Sequence, residues 1–338
     1  KSYSKDLPRL KSGPFRGFPR VYEMVLELVT HTDGHVDIEN LSAFTGAYQQ
    51  VRPLKLGELW AIPIMLRLAL IENLRRVCYR IAWRRRNRDL AQVWAQRFLT
   101  AVQERPKDLI AVLADLAHQD LPLHTPFVAE LRSGLCGQSA ALGLVLNWLE
   151  QSLGESGLTL EQVLQAESHE QAADQASIAN SISSLRRLNT QDWRAFVEGE
   201  SLTEKTLRQD PAGVYAATEF DTRDRCRHIV EELARRCKLD EPAVAQQALS
   251  LAAERTLGDA ADKREQHVGF FLIAEGRTEL EQAIGYRPPL RLRLARSAGR
   301  IRLPFIFCTT TTNNNLLHFN HTIVESHLLR FTSYHRTL

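Results

Sequence analysis

The sequence predicts an all-α protein. Apolar residues recur at steps of three and four along most of the chain, which is the spacing of one helix face. No run of alternating apolar and polar residues is long enough to indicate a β-strand. The 338 residues suffice for one large domain or two ordinary ones. We therefore expect a multi-helix, bundle-like domain over residues 21–285 and leave open a division into two lobes near residues 152–158.

The stretch 54–88 is the helix around which the other segments are arranged. Its apolar stripe indicates burial and consists of Leu59, Ile62, Leu66, Leu70, Leu74, Val77 and Ile81. Arg67 and Glu72 interrupt the apolar run, so it does not predict a membrane span. Past Asn73 the stretch becomes rich in arginine without acidic residues, and this indicates a cationic surface.

Two interpretations of these arginines stay open. A solvated helix end carries cations readily, because they suit the negative end of the helix dipole. A binding site for phosphate is the alternative, since the guanidinium offers a fork of donors that matches phosphate oxygens. The candidate residues for an anionic surface are Arg84, Arg85, Arg86 and Arg88.

The beginning of the chain has a different composition. Residues 1–20 combine proline and glycine with lysine and arginine, which predicts a basic extended arm. Short helices follow over residues 21–28 and 38–50. We attribute the histidines and aspartates between them, at residues 31–37, to turn formation and helix capping rather than to a metal.

Further helices are predicted over residues 89–103, 107–118, 127–132 and 138–153. A capping box then opens a long helix, because Thr159 is followed three residues later by Gln162, and this helix should reach about Leu188. Amide and hydroxyl side chains lie along it at Gln171, Gln175, Asn180 and Ser184. They indicate either close helix packing with hydrogen-bonded side chains or a polar groove.

Helices over residues 191–211, 222–238 and 242–255 follow, and residues 267–283, helical or partly extended, complete the domain. A dense charged group marks the second of them: Asp221, Arg223, Asp224, Arg225, Arg227 and His228. Helical spacing of i and i+4 pairs Asp221 with Arg225 and Asp224 with His228. The group indicates a structural salt-bridge network, or else a ligand or interdomain contact.

The end of the chain changes character. Residues 286–307 are basic and read as a linker, and residues 308–338 form an atypical Thr- and Asn-rich tail that we expect to be disordered. Five cysteines at spacings that fit no zinc motif suggest a reducing compartment. Signatures of nucleotide loops, zinc proteases and serine hydrolases are missing from the sequence.

Five blocks of sequence nevertheless carry a specific resemblance. Residues 7–23, 57–76, 171–186, 210–236 and 267–277 closely resemble bacterial cyclic β-1,2-glucan synthases, in the same order. The resemblance runs from about residue 7 to about residue 302. It implies a very large inner-membrane enzyme, in which a processive glycosyltransferase using UDP-glucose is joined to transmembrane helices and a carbohydrate-phosphorylase-like region.

Within that family, this chain resembles only the region before the transmembrane and transferase parts. It has neither an Asp-x-Asp motif nor a Gln-x-x-Arg-Trp motif, so we assign no catalytic residue and expect no cofactor in this segment. UDP-glucose and a divalent metal are implied for the parent enzyme alone. The resemblance implies a scaffold on the cytoplasmic face of the inner membrane, whose partners are the remainder of the synthase and anionic lipids, not nucleic acid. The alternative is a free-standing helical interaction module that binds anionic partners through its arginines.

Overall fold

A computed structural model describes residues 7–119, 123–256 and 264–288 of the chain. Within these ranges it contains thirteen α-helices and, apart from one isolated bridge, no β-structure, which confirms the all-α class. The helices are α1 Arg20–His31, α2 Ile38–Val51, α3 Leu56–Glu104, α4 Leu109–His118, α5 Thr125–Leu135, α6 Gly143–Glu155, α7 Leu160–Thr190, α8 Trp193–Glu200, α9 Leu202–Leu207, α10 Phe220–Ala234, α11 Glu241–Thr256, α12 Val268–Ile273 and α13 Arg277–Ala283. The predictions for residues 289–307 and for the tail 308–338 lie outside the described residues.

Helix α3 has 49 residues and is about 74 Å long at 1.5 Å per residue. The sequence suggested a break between Arg88 and Asp89, and this prediction is wrong because the helix continues through both. Neither glycine nor proline interrupts the chain there, and the apolar face resumes at once with buried Ala91, Trp94 and Phe98. The arginine-rich stretch therefore lies in the middle of a helix and not at its end.

Three apolar cores organise the helices. The N-terminal core combines α1, Leu41 of α2 and the first part of α3 with Leu188 and with Phe196 and Val197 of α8. The central core packs the second half of α3 against α4, α5, α6 and the start of α7. The C-terminal core is built from α9 to α13. Helix α3 thus passes through two of the cores.

The segment 7–19 is not the extended arm that its composition suggested. It reverses direction: the Leu10 amide donates to the Phe18 carbonyl and the Gly17 amide donates to the Leu10 carbonyl, both at 2.9 Å. Gly13 and Gly17 permit the reversal with φ of 82° and 88°. Leu7 is buried, so the loop packs onto the N-terminal core.

The predicted start of α7 is confirmed. The Gln162 amide donates to Thr159 Oγ1 at 3.2 Å, and the Thr159 amide donates to Gln162 Oε1 at 2.9 Å. The proposed lobe boundary at 152–158 covers the end of α6 and part of the turn before α7, and it stays a prediction. Farther along, residues 191–211 form two helices instead of one, because Ser201 caps α9 by accepting the Glu204 amide.

Candidate functional site

Two polar assemblies lie between the three cores. The first, here called the ionic network, joins α8, α9 and α10 where the N-terminal and C-terminal cores meet; it consists of Glu198, Glu204, Arg223, Asp224 and Arg227. The second, the polar seam, is the contact between the middle of α3 and α7. Both are built from charged or hydroxyl side chains in positions that apolar residues usually occupy.

Arg227 is the centre of the ionic network and its side chain is 0% exposed. Its Nη1 donates to Glu204 Oε2 at 2.7 Å and to Glu198 Oε1 at 2.8 Å, and its Nη2 donates to Asp224 Oδ1 at 3.1 Å. The guanidinium also lies over the ring of Phe220, 5.1 Å from the ring centroid. Burial opposes the charge, but the hydrogen bonds from Glu198 and Glu204 prevail and raise the pKa of Arg227.

Glu204 is equally buried and accepts from three sides. Besides Arg227, Arg208 Nε donates to its Oε1 at 2.8 Å and the Tyr215 hydroxyl donates to its Oε2 at 2.7 Å. Burial and the neighbouring Glu204 carboxylate raise the pKa of Tyr215, so this hydroxyl stays a donor. Several hydrogen bonds thus hold the Glu204 carboxylate and the Tyr215 hydroxyl in position, while Arg227 Nε is buried without a hydrogen-bond partner.

On the outer side of α10, His228 lies between two carboxylates. Its Nε2 is 3.3 Å from Asp224 Oδ2 and its Nδ1 is 3.2 Å from Glu231 Oε2. The hydrogen bonds to Asp224 and then Glu231 raise the pKa of His228 to about 9. The imidazole is therefore protonated at neutral pH and extends the network as a cation.

The structure gathers part of the predicted charged group and leaves part outside. Arg223 donates from Nε to Glu198 Oε1 at 3.0 Å, and Asp224 and His228 lie in the network as described above. Asp221 and Arg225 point outward and are exposed. The group thus lies at the junction of two cores, while a ligand contact by any of these five residues stays a prediction.

Sequence reasoning placed Arg227 in the charged group but missed its central position and its partners Glu198 and Glu204. Arg223 and Arg227 are four residues apart and share a helix face, which is a signal that could have identified them as a pair. Glu198 and Glu204 come from separate short helices, and no spacing rule connects these with α10. Long-range ion pairs of this kind become visible only in the folded chain.

Asp210 forms a second junction that sequence reasoning missed. Its side chain is fully buried and accepts the amides of Val214, Tyr215 and Val268 at 2.9–3.1 Å and the ring Nδ1 of His267 at 2.8 Å. Burial opposes ionisation of the Asp210 carboxyl, yet the hydrogen bonds from His267 and from the backbone amides lower the pKa of Asp210. The carboxylate therefore connects the loop after α9 with the start of α12.

The polar seam pairs α3 and α7 in antiparallel directions. Asn73 Nδ2 donates to Ser177 Oγ and Ser181 Oγ at 3.0 Å each, and Arg80 Nη2 donates to Asp174 Oδ1 at 2.6 Å. Apolar spacing along α7 predicts a core-facing side made of Val163, Ala166, Ala173, Ile178, Ile182 and Leu185. This prediction is wrong in part, since Ala173 and Ile182 are exposed. The buried face instead comprises Val163, Glu167, Asp174, Ser177, Ser181, Ser184 and Leu188.

The hydroxyls of the seam also hold the turn between α1 and α2. Ser184 Oγ accepts the Val36 amide and donates to the Gly34 carbonyl, both at 2.8 Å. A Cβ at Gly34, whose φ is 77°, would lie 2.3 Å from Ser181 Oγ, so only glycine fits. Asn180 donates to the Asp33 carbonyl at 3.3 Å, whereas Gln171 and Gln175 are exposed. Close helix packing with hydrogen-bonded side chains, one of the two interpretations of these polar residues, therefore applies to Asn180 and Ser184.

Arg84 differs from the other candidate residues for an anionic surface. Its side chain is 7% exposed and lies against Glu167, Glu170 and Asp174 of α7, with Nη1 3.6 Å from Glu167 Oε2. Burial raises the pKa of Glu167, although Arg84 opposes this effect. The expectation that Arg84 faces outward is therefore wrong, because its guanidinium forms ion pairs with the carboxylates of α7.

The other three arginines are placed differently. Arg85 and Arg86 are exposed and Arg88 is half-buried, and Tyr79 and Trp83 on the same helix are 62% and 40% exposed. Their binding to an anionic surface stays a prediction.

Three carboxylates surround the N-terminus of α3. Glu58 binds Arg20 through both oxygens at 2.6 Å, and Glu241 Oε2 accepts the Leu56 amide at 2.8 Å. A Cβ added to Gly57 would lie 3.3 Å from Glu231 Oε1, so the third carboxylate is adjacent. Burial, with further contributions from Glu231 and Glu58, raises the pKa of Glu241 from 4.5 to about 7. This cluster attaches the C-terminal core to the beginning of α3.

Comparison with known proteins identifies the chain's relatives. No protein-family model matches it. The chain is 32% identical over 302 residues to the cyclic beta-(1,2)-glucan synthase NdvB of Rhizobium meliloti (strain 1021), a match that covers 88% of this chain. The chain is homologous to a segment of a cyclic β-(1,2)-glucan synthase. It spans about a tenth of the length of that relative, 10% of its residues.

The homology confirms the resemblance seen in the sequence. This synthase-related segment has no group of three or more His, Cys, Asp or Glu side chains arranged for a metal within its described ranges. In the same part of the chain, every helix is too short or too polar to cross a bilayer. The ionic network and the polar seam are thus its main polar features, and both are internal contacts.

The first prediction concerns Arg227 in the ionic network. Replacing it by methionine (Arg227→Met) should lower the free energy of unfolding by about 3–5 kcal/mol, because Glu204 stays buried without its main cation. Arg225→Met is the matched control on the exposed side of α10 and should change the free energy of unfolding by about 0.5 kcal/mol or less. Urea unfolding followed by circular dichroism measures both. Arg227→Lys provides a folded comparison, and equal effects of Arg227 and Arg225 variants would contradict the assignment.

The second prediction concerns pH and Glu241. The folded state retains a proton that the unfolded chain loses between pH 4.5 and about 7, so this group's contribution to stability falls as pH rises through that window. Glu241→Gln keeps an acceptor for Leu56 but carries no charge. Relative to wild type, it should gain up to about 3 kcal/mol of stability between pH 4.5 and 8. The exposed Glu254→Gln on the same helix is the control, and a pH-independent difference for Glu241→Gln would refute the assignment.

Proposed function

We propose that this chain is the helical scaffold of a cyclic β-(1,2)-glucan synthase, in the region before the transmembrane and transferase parts. In this proposal it lies on the cytoplasmic face of the inner membrane and its main partner is the remainder of the synthase. The identity of 32% over 302 residues supports the link to the synthase. The scaffolding role is supported by the way the charged groups are arranged inside the segment.

The observation that carries the proposal is the geometry of α3. One helix of 49 residues passes through the N-terminal and central cores, and the Glu241 contact attaches the C-terminal core to its first turn. A helix of about 74 Å that is fixed in this way can hold distant contact surfaces at a constant separation. That property suits a structural support for a large enzyme.

Catalysis in this proposal belongs to other regions of the enzyme. Several buried charged groups are paired internally: Arg227 with Glu198 and Glu204, and Asp210 with His267. The chain lacks the Asp-x-Asp and Gln-x-x-Arg-Trp motifs. UDP-glucose and a divalent metal would accordingly bind outside this segment, and the purified chain alone should form no glucan.

The third prediction tests the scaffold role in a chimera. The matching segment of the Rhizobium meliloti synthase is replaced by this chain, and membranes are assayed for cyclic glucan made from UDP-glucose. The chimera that carries the unsubstituted chain should make cyclic glucan, because the internal contacts of the chain hold the other parts of the enzyme in place. The same chimera with Arg227→Met should lose most product, whereas Arg225→Met should retain it.

Two outcomes would contradict the scaffold role. One is a chimera that inserts in the membrane at normal abundance but makes no glucan. The other is full activity after deletion of the segment. Either result would favour the alternative, a free-standing helical module that binds anionic partners.

A second candidate function, binding to anionic lipid, is supported by the surface of α3. Arg85 and Arg86 are exposed, and no ion pair engages them among the described residues, while Tyr79 and Trp83 present exposed aromatic rings nearby. Aromatic rings and arginines together suit the headgroup region of a bilayer. This function is compatible with the scaffold role, since a scaffold at the inner membrane would face anionic lipid.

The fourth prediction tests this lipid contact. Changing Arg85, Arg86 and Arg88 to alanine should weaken co-sedimentation with anionic vesicles about a hundredfold at low salt, at about 1 kcal/mol per cation. Arg84 is retained because the polar seam needs it. A variant with Arg186→Ala and Lys205→Ala removes exposed cations elsewhere and should bind normally.

Salt and vesicle composition provide the decisive comparison. Binding should weaken between 0.1 M and 1 M salt, where the Debye length falls from about 10 Å to about 3 Å. Equal binding to neutral and anionic vesicles, or no effect of the triple substitution, would mean that these arginines form only a solvated helix face.

A further inference from the structure

A small cavity lies apart from the ionic network, where the beginning of α2, the end of α7 and the beginning of α8 meet. Its volume is about 240 Å³. This is below the range of about 300–1,000 Å³ that is usual for drug-sized ligands, so it suits a single ring. The lining residues are Val36, Asp37, Ile38, Glu39, Leu41, Arg187, Leu188, Thr190, Gln191 and Trp193.

We propose that this cavity binds one glucosyl unit of a glucan chain. The identity of the ligand rests on the proposed function, whereas its chemical class follows from the lining. A neutral ring with one apolar face and a rim of hydroxyl groups is the ligand that these side chains suit.

The apolar part of the cavity is rigid. Leu41 and Leu188 are buried and form its floor. The indole of Trp193 is held by a hydrogen bond from Nε1 to the Leu188 carbonyl at 3.0 Å and by an edge contact with Phe196, with 5.6 Å between ring centroids. A fixed, half-buried indole provides a flat apolar surface that a flexible side chain would not provide.

The polar rim of the cavity has both signs of charge. Glu39 and Arg187 are exposed and line the same cavity, yet no ion pair joins either of them to another described residue. Thr190 and Gln191 add a hydroxyl and an amide. Asp37 has another role, because its Oδ1 accepts the Asn40 amide at 2.7 Å and caps α2. Donors and acceptors for a ligand therefore come from Glu39, Arg187 and the two neutral groups.

This combination selects against other ligand classes. An anion such as phosphate would meet one guanidinium, Arg187, but also the two carboxylates of Asp37 and Glu39, whose repulsion opposes its binding. A wholly apolar ligand would leave the polar rim without hydrogen-bond partners as it displaced water. A pyranose satisfies both parts, because its C–H face can lie against Trp193 while its hydroxyls reach the charged rim.

Saturation-transfer NMR on the full 338-residue chain tests the proposal, with glucose, the β-1,2-linked disaccharide sophorose and glucose 6-phosphate as ligands. Glucose and sophorose should receive saturation and glucose 6-phosphate should bind more weakly. Glu39→Gln and Arg187→Gln should each weaken sophorose binding about tenfold, the loss of one charge-assisted hydrogen bond. Arg186→Gln is the matched control, since Arg186 is the exposed neighbour of Arg187 and does not line the cavity.

These variants lie on the surface, so the test does not depend on a Trp193 substitution that would disturb the core. Absence of saturation transfer in concentrated sugar would overturn the proposal, as would binding that neither Glu39→Gln nor Arg187→Gln weakens. Tighter binding of glucose 6-phosphate than of glucose would also overturn it. If the scaffold proposal is correct and the cavity proposal is wrong, the chimera should still make glucan in each of these cases. Failure of the cavity proposal is therefore distinguishable from failure of the scaffold proposal.

Discussion

The pairing of α3 with α7 is the contact on which the rest of the segment depends. An isolated helix of 49 residues is not held straight by its own propensity, because most helix stability in proteins comes from packing of one face. Here α3 leaves the N-terminal core near Leu70 and reaches the central core near Ala91. Between these points α7 supplies its packing surface, through Arg80 with Asp174 and Asn73 with Ser177. Without this seam, the part of α3 that connects the two cores would lack its packing against α7.

The seam and the ionic network use polar groups where apolar groups would fit, and this has a physical consequence. Buried ion pairs contribute little net stability, because desolvation offsets much of the attraction, but removing one partner is costly. An apolar contact between α3 and α7 could slide by one turn with a small loss. A contact in which Arg84 must face Glu167 and Asp174, and Ser184 must bind the Gly34–Val36 turn, permits one register. The polar groups therefore favour a defined geometry over maximum stability.

The sequence predicted what depends on local chemistry. The all-α class follows from apolar periodicity, and the start of α7 follows from the Thr159 and Gln162 pair, because both signals act within one or two turns. The placement of Arg84 could not be predicted in this way. A run of arginines looks the same whether it faces water or a neighbouring helix, and the acidic residues that decide the matter lie more than 80 positions away, with Glu170 separated from Arg84 by 86. The partners of Arg227 were missed for the same reason, since Glu198 and Glu204 belong to other helices.

The arrangement of charge also determines where a ligand could act on this segment. Arg227, Glu204 and Asp210 are buried and their hydrogen-bonding capacity is largely taken by one another and by backbone amides. A ligand at these positions would have to break strong internal contacts. Glu39 and Arg187 differ, because both are exposed and line one cavity, and no ion pair engages either of them among the described residues. Groups that are already fixed by the fold serve as structure, and recognition is left to those that the fold positions but does not engage. By this argument the cavity beside Trp193 and the exposed arginines of α3 are the surfaces through which a rigid helical segment could contact other molecules.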